Sequence, residues 1–304
     1  MKALLGRTFI LAAALSTVTL AVPAQTASPE KGFTEIESFQ GEMNSTEKTL
    51  KLDSNIGYDF NKHFGVFAGL PIYFTSTPSS SATATTSATT GGTVSGVGNA
   101  YLGFVFRAPN PKTLNYVSVV TAGIPTGDTS KGLSSGRATV DWSNHFDRSF
   151  NRLTPFFEAG LANTVPDTIL QTRAFTSLGA VSHLQEGLEF ELVRHFSVGG
   201  AGYQIFPFGT QKVFSKVNSS GPGPGPATAA SGKGGHGAFQ DQFLTTGTDL
   251  TRENGVSTWV AFEPSGHFWR AELGFSRSMT FNLNSFSFNL GLNIGKMLRS
   301  RGIS

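Results

Sequence analysis

Ser285-Phe286-Ser287-Phe288-Asn289-Leu290-Gly291-Leu292-Asn293-Ile294 alternates apolar side chains with small or polar ones without a break. Successive side chains of an extended chain point to opposite sides. Phe286, Phe288, Leu290, Leu292 and Ile294 therefore share one face, and Ser285, Ser287, Asn289, Gly291 and Asn293 share the other. Strands of soluble proteins average about five or six residues. A transmembrane strand needs roughly 9–11. The preceding stretch repeats the pattern, with Trp269, Ala271, Leu273 and Phe275 set against Arg270, Glu272, Gly274 and Ser276. One face fits lipid and the other a polar interior. Lipid satisfies no open sheet edge, so strands of this kind must close into a barrel.

Outward from this pair, similar stretches fall at 33–42, 48–59, 63–75, 98–108, 113–124, 136–147, 153–164, 174–193, 196–208, 252–263, 267–278 and 284–296. The sequence thus predicts an all-β fold, an antiparallel transmembrane β-barrel of about twelve strands. An even number is what single-chain bacterial barrels have. Short links at Asn61-Lys62, Asn110 to Lys112, Asp147 to Asn151, Arg194-His195 and Ser265-Gly266 contrast with long ones at 76–97, 125–135 and 209–251. Short periplasmic turns and long outer loops are the usual asymmetry, and both termini then lie in the periplasm. Aromatic residues beside the short turns, such as Tyr58, Phe60, Phe64, Phe146, Phe150 and Phe196, read as an interfacial girdle; core aromatics of a soluble protein are the alternative. Loop 76–95 is nearly all Ser, Thr, Ala and Gly, and 217–238 carries Gly-Pro three times. Both compositions favour flexible chain. A sharper reading has loop 209–251 fold inward as a plug.

The N-terminus gives the route. Lys2 and Arg7 precede an apolar stretch from Phe9 to Val22, and Val22-Pro23-Ala24 supplies small residues for cleavage. That is the layout of a secretory signal peptide over residues 1–24, leaving 25–304 as the barrel domain. The apolar stretch is short for a spanning helix. The whole chain has a formal charge of +3, two units of which leave with Lys2 and Arg7, so nucleic acid is not an expected partner. Charged residues are 14% of the chain and cysteine is absent, which excludes a disulfide framework and a thiolate metal site. The 36 glycines and 27 phenylalanines favour strands over helices.

Three motifs stand close together: Gly96-Val97-Gly98-Asn99-Ala100-Tyr101-Leu102-Gly103, then Gly123-Ile124-Pro125-Thr126-Gly127-Asp128, then Gly132-Leu133-Ser134-Ser135-Gly136 followed by Asp141. In pattern this region, about 95–165, resembles the MetA-like outer-membrane family labelled for the meta-pathway of phenol degradation. Asn99 stands where that pattern has Asp. The chain also continues from Lys296 to Ser304, which leaves the terminal-strand signal for the barrel-assembly machinery at Phe286–Ile294. The resemblance implies an outer-membrane channel or transporter passing small hydrophobic or aromatic compounds, and it assigns no substrate residue. Physically, Pro-Thr-Gly-Asp is turn chemistry.

Strand parity predicts the interior. The acids Glu37, Asp53, Asp59, Asp141, Glu158, Glu189, Glu191 and Glu272 are expected to face Lys51, Arg107, Arg137 and Arg270 across the lumen. Ion pairs filling the barrel and a cation-favouring path are both compatible with that set. Two other classes stay open: a structural or adhesive barrel, and an outer-membrane lipid hydrolase. A hydrolase needs a Ser and a His in contact. Ser143 and His145 share a face, whereas Ser182 and His183 are adjacent and point apart. The six histidines show no metal spacing, and no phosphate loop is present. No catalytic residue, metal or cofactor is predicted; the expected partners are outer-membrane lipid and a small solute.

Overall fold

The computed structural model describes residues 31–43, 48–76, 93–110, 113–128, 131, 133–134, 136–164, 177–209, 211–213, 244–246, 252–264, 268–280 and 282–300. Its elements in chain order are β1 (Gly32–Met43), β2 (Lys48–Asp59), β3 (Phe64–Ser76), β4 (Thr93–Val97), β5 (Ala100–Ala108), β6 (Asn115–Ile124), β7 (Thr139–Asp147), β8 (Leu153–Ala162), β9 (Ser177–Leu178), β10 (Val181–Val193), β11 (Phe196–Pro207), β12 (Gln211–Val213), β13 (Leu244–Thr246), β14 (Glu253–Phe262), β15 (Trp269–Ser278), β16 (Leu283–Asn293) and α1 (Ile294–Ser300).

Twelve staves close on themselves, each antiparallel to its neighbours. The order runs β1-β2-β3-β5-β6-β7-β8-β10-β11-β14-β15-β16, and β16 returns to β1. Strand β4 continues the β5 stave, also pairing with β3 beyond a break at Gly98-Asn99. Closure removes every edge, as a hydrocarbon surround demands. The short strands β9, β12 and β13 form a separate small sheet and are not staves.

Sequence parity becomes two surfaces. On β2, Thr49, Lys51, Asp53, Asn55 and Asp59 are buried while Ile56 is 59% exposed. On β16, Ser285 and Asn293 are buried while Phe286 is 60% exposed. An outer wall rich in Leu, Phe and Val around a polar inner wall is the inverse of a soluble fold. No helix among the described residues is long and apolar enough to cross a membrane. Around the short-turn rim, outward rings touch in series: Phe33 with Tyr58, Tyr58 with Phe60, Phe64 with Phe106, Phe106 with Tyr116, Tyr116 with Phe146, and Phe146 with Phe157. Across the barrel Phe196, Phe262 and Trp269 continue the row. These contacts form an aromatic girdle.

Inside, large rings lie flat over glycines of neighbouring strands. A Cβ on Gly103 would stand 1.9 Å from Phe67 Cζ, and one on Gly199 would stand 2.0 Å from the Trp259 ring. Tyr203 and His183 cover Gly255 and Gly160 in the same manner. The glycines let the rings lie against the wall of a narrow barrel, where projecting side chains fill the interior.

Four expectations need correction. The stretch 174–193 is two elements: Ser177–Leu178 belongs to the small sheet, and the stave begins at Val181. The last strand stops at Asn293, and the chain turns into α1. The stave assigned from 98 starts at Thr93 and is interrupted. On β1, Glu37 points outward with Phe33 and Phe39, and its carboxylate accepts a hydrogen bond from outward-facing Ser54 at 2.8 Å. Ile36 shares the inward face with buried Ser38, so the apolar pattern of β1 carries two conflicting phases, and pairing with β2 and β16 settles them. Residues 1–30, most of loop 76–95 and most of loop 209–251, including 217–238, lie outside the described residues.

Candidate solute pathway and its charged wall

Three clusters of polar side chains occupy the inner wall. The first joins β2, β3 and β5. Lys51 Nζ lies 3.0 Å from Asp53 Oδ2, and Tyr101 donates its hydroxyl hydrogen to Asp53 Oδ1 at 2.7 Å. Asn55 donates to the Tyr101 oxygen at 3.3 Å. Nearer the short turns, Arg107 Nη1 donates to Asp59 Oδ1 at 2.7 Å. Asp59 sits where β2 ends and Arg107 where β5 ends, and β3 between them supplies Gly65, whose missing side chain leaves room for the pair.

The second cluster spans β7, β8 and β10. Ser143 Oγ donates to Asp141 Oδ2 at 3.1 Å, and His183 Nε2 lies 3.0 Å from Asp141 Oδ1. His145 stands between two carboxylates, Nδ1 at 3.4 Å from Glu158 Oε2 and Nε2 at 3.6 Å from Asp147 Oδ1. The cross-strand registers Ser143 with Gly160 and His145 with Glu158 place these groups in adjacent rows. Glu158 is fully buried, whereas the His145 side chain keeps 27% exposure. Glu158 Oε1 and His183 Nδ1 are buried with no hydrogen-bond partner among the described residues. The Phe156 ring stacks on His145 at 5.7 Å and approaches Trp259 at 6.3 Å.

The third cluster gathers three carboxylates on one guanidinium. Arg270 donates to both Glu189 oxygens at 2.9 and 3.3 Å, and to Glu272 Oε2 at 3.3 Å; Glu263 Oε2 lies 3.6 Å away. Ser197 Oγ donates to Glu189 Oε1 at 2.6 Å. Strands β10, β11 and β15 and the β14–β15 turn each supply a member. A bidentate, partly buried Arg–carboxylate pair is a strong fixed contact. Two further carboxylates on the same cation leave the cluster net negative.

Asp53, Arg107, Asp141, Glu158, Glu189, Arg270 and Glu272 therefore sit within these clusters. Two other candidates do not. Arg137 precedes β7, after Gly136 at φ 66°, and is exposed. Glu191 is exposed at the short-turn end of β10, where a register irregularity separates it from Val193. Sequence reasoning set His145 on a shared face with Ser143 only as a possible base, and it missed Asp147 and His183 as members of the wall, although each shares strand parity with a neighbour it had chosen. It weighed histidines only as metal ligands or bases. Tyr101, Ser197 and Glu263 carried no charge-pattern signal or lay in a turn.

The arrangement also bears on the hydrolase alternative. Asp141 stands between Ser143 and His183, with hydroxyl and imidazole on different carboxylate oxygens. Ser143, which shares a face with His145, gives its hydroxyl hydrogen to Asp141, and among the described residues no group of three ligating side chains is arranged to hold a metal ion.

The motif region acquires a geometry as well. Thr126 Oγ1 accepts from the Ala100 amide at 2.8 Å and donates to the Gly98 carbonyl at 3.2 Å. The Gly127 amide donates to Asn99 Oδ1 at 3.3 Å. The Pro-Thr-Gly-Asp turn is thus clipped into the break between β4 and β5.

No protein-family model matches the chain, and no curated protein matches its sequence. Among solved structures, the chain is similar to the COG4313 outer membrane channel from Pseudomonas putida F1, with a TM-score of 0.54 at 9% identity over 90% of this chain and 100% of that one. The Pseudomonas putida toluene transporter TodX aligns with a TM-score of 0.45 at 9% identity, over 92% of this chain and 94% of that one. A Pseudomonas aeruginosa FadL homologue gives 0.41 at 10% identity, over 86% of this chain and 75% of that one. The fold is that of outer-membrane β-barrel channels.

Proposed function

We propose that the chain is an exported outer-membrane channel whose inner wall favours cations over anions and which carries small hydrophobic or aromatic solutes. The observation that carries this reading is a closed barrel with an apolar outer wall and an inner wall in which, among the described residues, carboxylates outnumber cations. Asp53, Asp59, Asp141, Asp147, Glu158, Glu189, Glu253 and Glu272 face Lys51, Arg107 and Arg270. Fixed carboxylates in a narrow low-dielectric space concentrate counter-ions. The partial exposure of Asp141, His145 and Glu189, at 20, 27 and 26% of the side chain, supports a water path along the β7–β10 wall. Unpaired buried polar atoms at Glu158 and His183 cost stability, about 1–3 kcal/mol per group. Such groups are usually kept where a site is used. The MetA-like motif region supports that solute class, and the likeness of fold to the COG4313 outer membrane channel supports a channel. On this reading residues 1–24 direct export, both termini lie in the periplasm, the barrel-assembly machinery reads the last strand, and the wall performs no chemistry.

A second reading has one observation behind it. Val181, Tyr203 and Ile205 form one buried apolar cluster inside the barrel, and Ala201, Trp259 and Ala261 form another. A filled interior favours a structural or adhesive barrel. Planar-bilayer recording of the mature protein under a KCl gradient separates the two. A cation-selective reversal potential, weakening toward 1 M salt where the screening length falls to about 3 Å, supports the channel. Anion selectivity rejects the charge assignment, and the absence of current favours the second reading.

A further inference from the structure

Beyond strand β6 the chain folds back into the mouth of the barrel. Gly96 on β4 pairs with Tyr73, whose side chain is inward and 4% exposed, so Gly96 presents its inner side to the interior. A Cβ there would meet Leu133 Cδ1 at 2.8 Å. Leu133 and Ser134 are 1% and 2% exposed, although they belong to a connection between staves. Hydrogen bonds hold them. The Leu133 amide donates to the Asp128 carbonyl at 3.0 Å, and Lys131 Nζ reaches the Ser95 carbonyl at 3.2 Å. Gly127 has no space for a side chain, because a Cβ would stand 2.6 Å from the Leu133 carbonyl oxygen and 2.9 Å from the Gly98 carbonyl carbon. With the Thr126 and Asn99 bonds this makes a latch, and the latch seats one apolar side chain just inside the long-loop rim.

We infer that Leu133 is the residue that sizes the entrance, held inward by the Asn99–Thr126–Gly127 latch. The inference rests on the transport reading above for its functional consequence. Its structural half stands alone: motif residues without a ligand of their own fix a small apolar constriction. A leucine at the mouth of a carboxylate-lined path sorts by girth and by ease of dehydration, as hydrophobic constrictions do.

The chain has no cysteine, so a single thiol reports cleanly. Leu133→Cys in the full mature barrel should react with a charged, membrane-impermeant methanethiosulfonate far more slowly than Lys131→Cys, which marks an exposed position of the same turn. Adding Gly127→Val should raise the Leu133→Cys rate toward the Lys131→Cys rate. In planar bilayers Leu133→Ala should raise conductance by at least about twofold, because the narrowest point widens, and it should raise tetraethylammonium permeability relative to tetramethylammonium. Equal labelling at 131 and 133 overturns the docked position. Slow labelling with unchanged conductance and permeability ratio, in a barrel that conducts, overturns the entrance role. Current absent from wild type and every variant removes the transport reading and the entrance role together, and the labelling rates then still decide the latch.

Discussion

At Gly103 a single methyl group would stand inside the Phe67 ring, 1.9 Å from Cζ. Overpacking of this kind costs about 1–3 kcal/mol. Gly103→Ala should therefore lower unfolding stability in lipid vesicles by about that much, and Phe67→Leu in the same chain should recover part of the loss. A full additive loss in the double variant would mean the ring does not lie over the glycine. Charge tests the third cluster. Arg270→Met leaves Glu189, Glu272 and Glu263 facing one another without their cation, and breaking a buried ion pair from one side costs about 3–5 kcal/mol. Glu272→Gln removes one of three acceptors and should cost far less, read in the same denaturant titration. On the outer wall, Phe288→Arg should cost about 2–4 kcal/mol if residue 288 lies near the bilayer midplane. Phe288 covers outward-facing Gly41, whereas its neighbour Asn289 accepts a bond from inward-facing Ser38, so Asn289→Arg should be milder.

Tight turns between staves carry their own signature. Asn151, His195 and Asn282 have φ of 57°, 76° and 51°. A left-handed residue other than glycine costs roughly 1–2 kcal/mol, least for Asn and Asp. Asn151→Gly should be neutral or slightly stabilising, and Asn151→Val destabilising by about 1–2 kcal/mol, a difference that heat-modified gel mobility at graded temperatures resolves. Element borders were readable from sequence wherever alternation was uninterrupted: β2, β3, β11, β14, β15 and β16 end within a few residues of the predicted limits. Legibility failed where a local feature breaks the period of two. The left-handed Gly136 delays β7 and leaves Arg137 outside it, and the irregular register between Glu191 and Val193 leaves Glu191 exposed at the end of β10. On β1, Ile36 and Glu37 exchange the faces that their chemistry alone would assign, because hydrogen-bond register to two neighbours outweighs the preference of one side chain.

As a whole the molecule is a cylinder turned inside out, and that inversion was the most legible property of the sequence. Hydrophobic period two, repeated twelve times at spanning length, leaves no other closed arrangement in lipid. The inner wall was only half legible. Parity located its carboxylates, but which cation each would meet depends on stave order, and Arg270 on β15 reaches Glu189 on β10 across two intervening staves. The inward turn at Leu133 was invisible, since a Gly–Leu–Ser–Ser–Gly run reads as linker. Export belongs to this scale too: N-terminal sequencing of the purified protein should begin at Gln25, and Met1 retained would contradict a cleaved leader. The sorting of lipid from interior along one strand is the central claim, and nitroxide scanning tests it most directly. Single cysteines from 285 to 293, labelled and reconstituted in vesicles, should show oxygen accessibility peaking at Phe286, Phe288, Leu290 and Leu292 and falling at Ser285, Ser287, Asn289, Gly291 and Asn293. Accessibility to a water-soluble nickel chelate that is high at the four apolar positions would contradict a membrane-embedded wall.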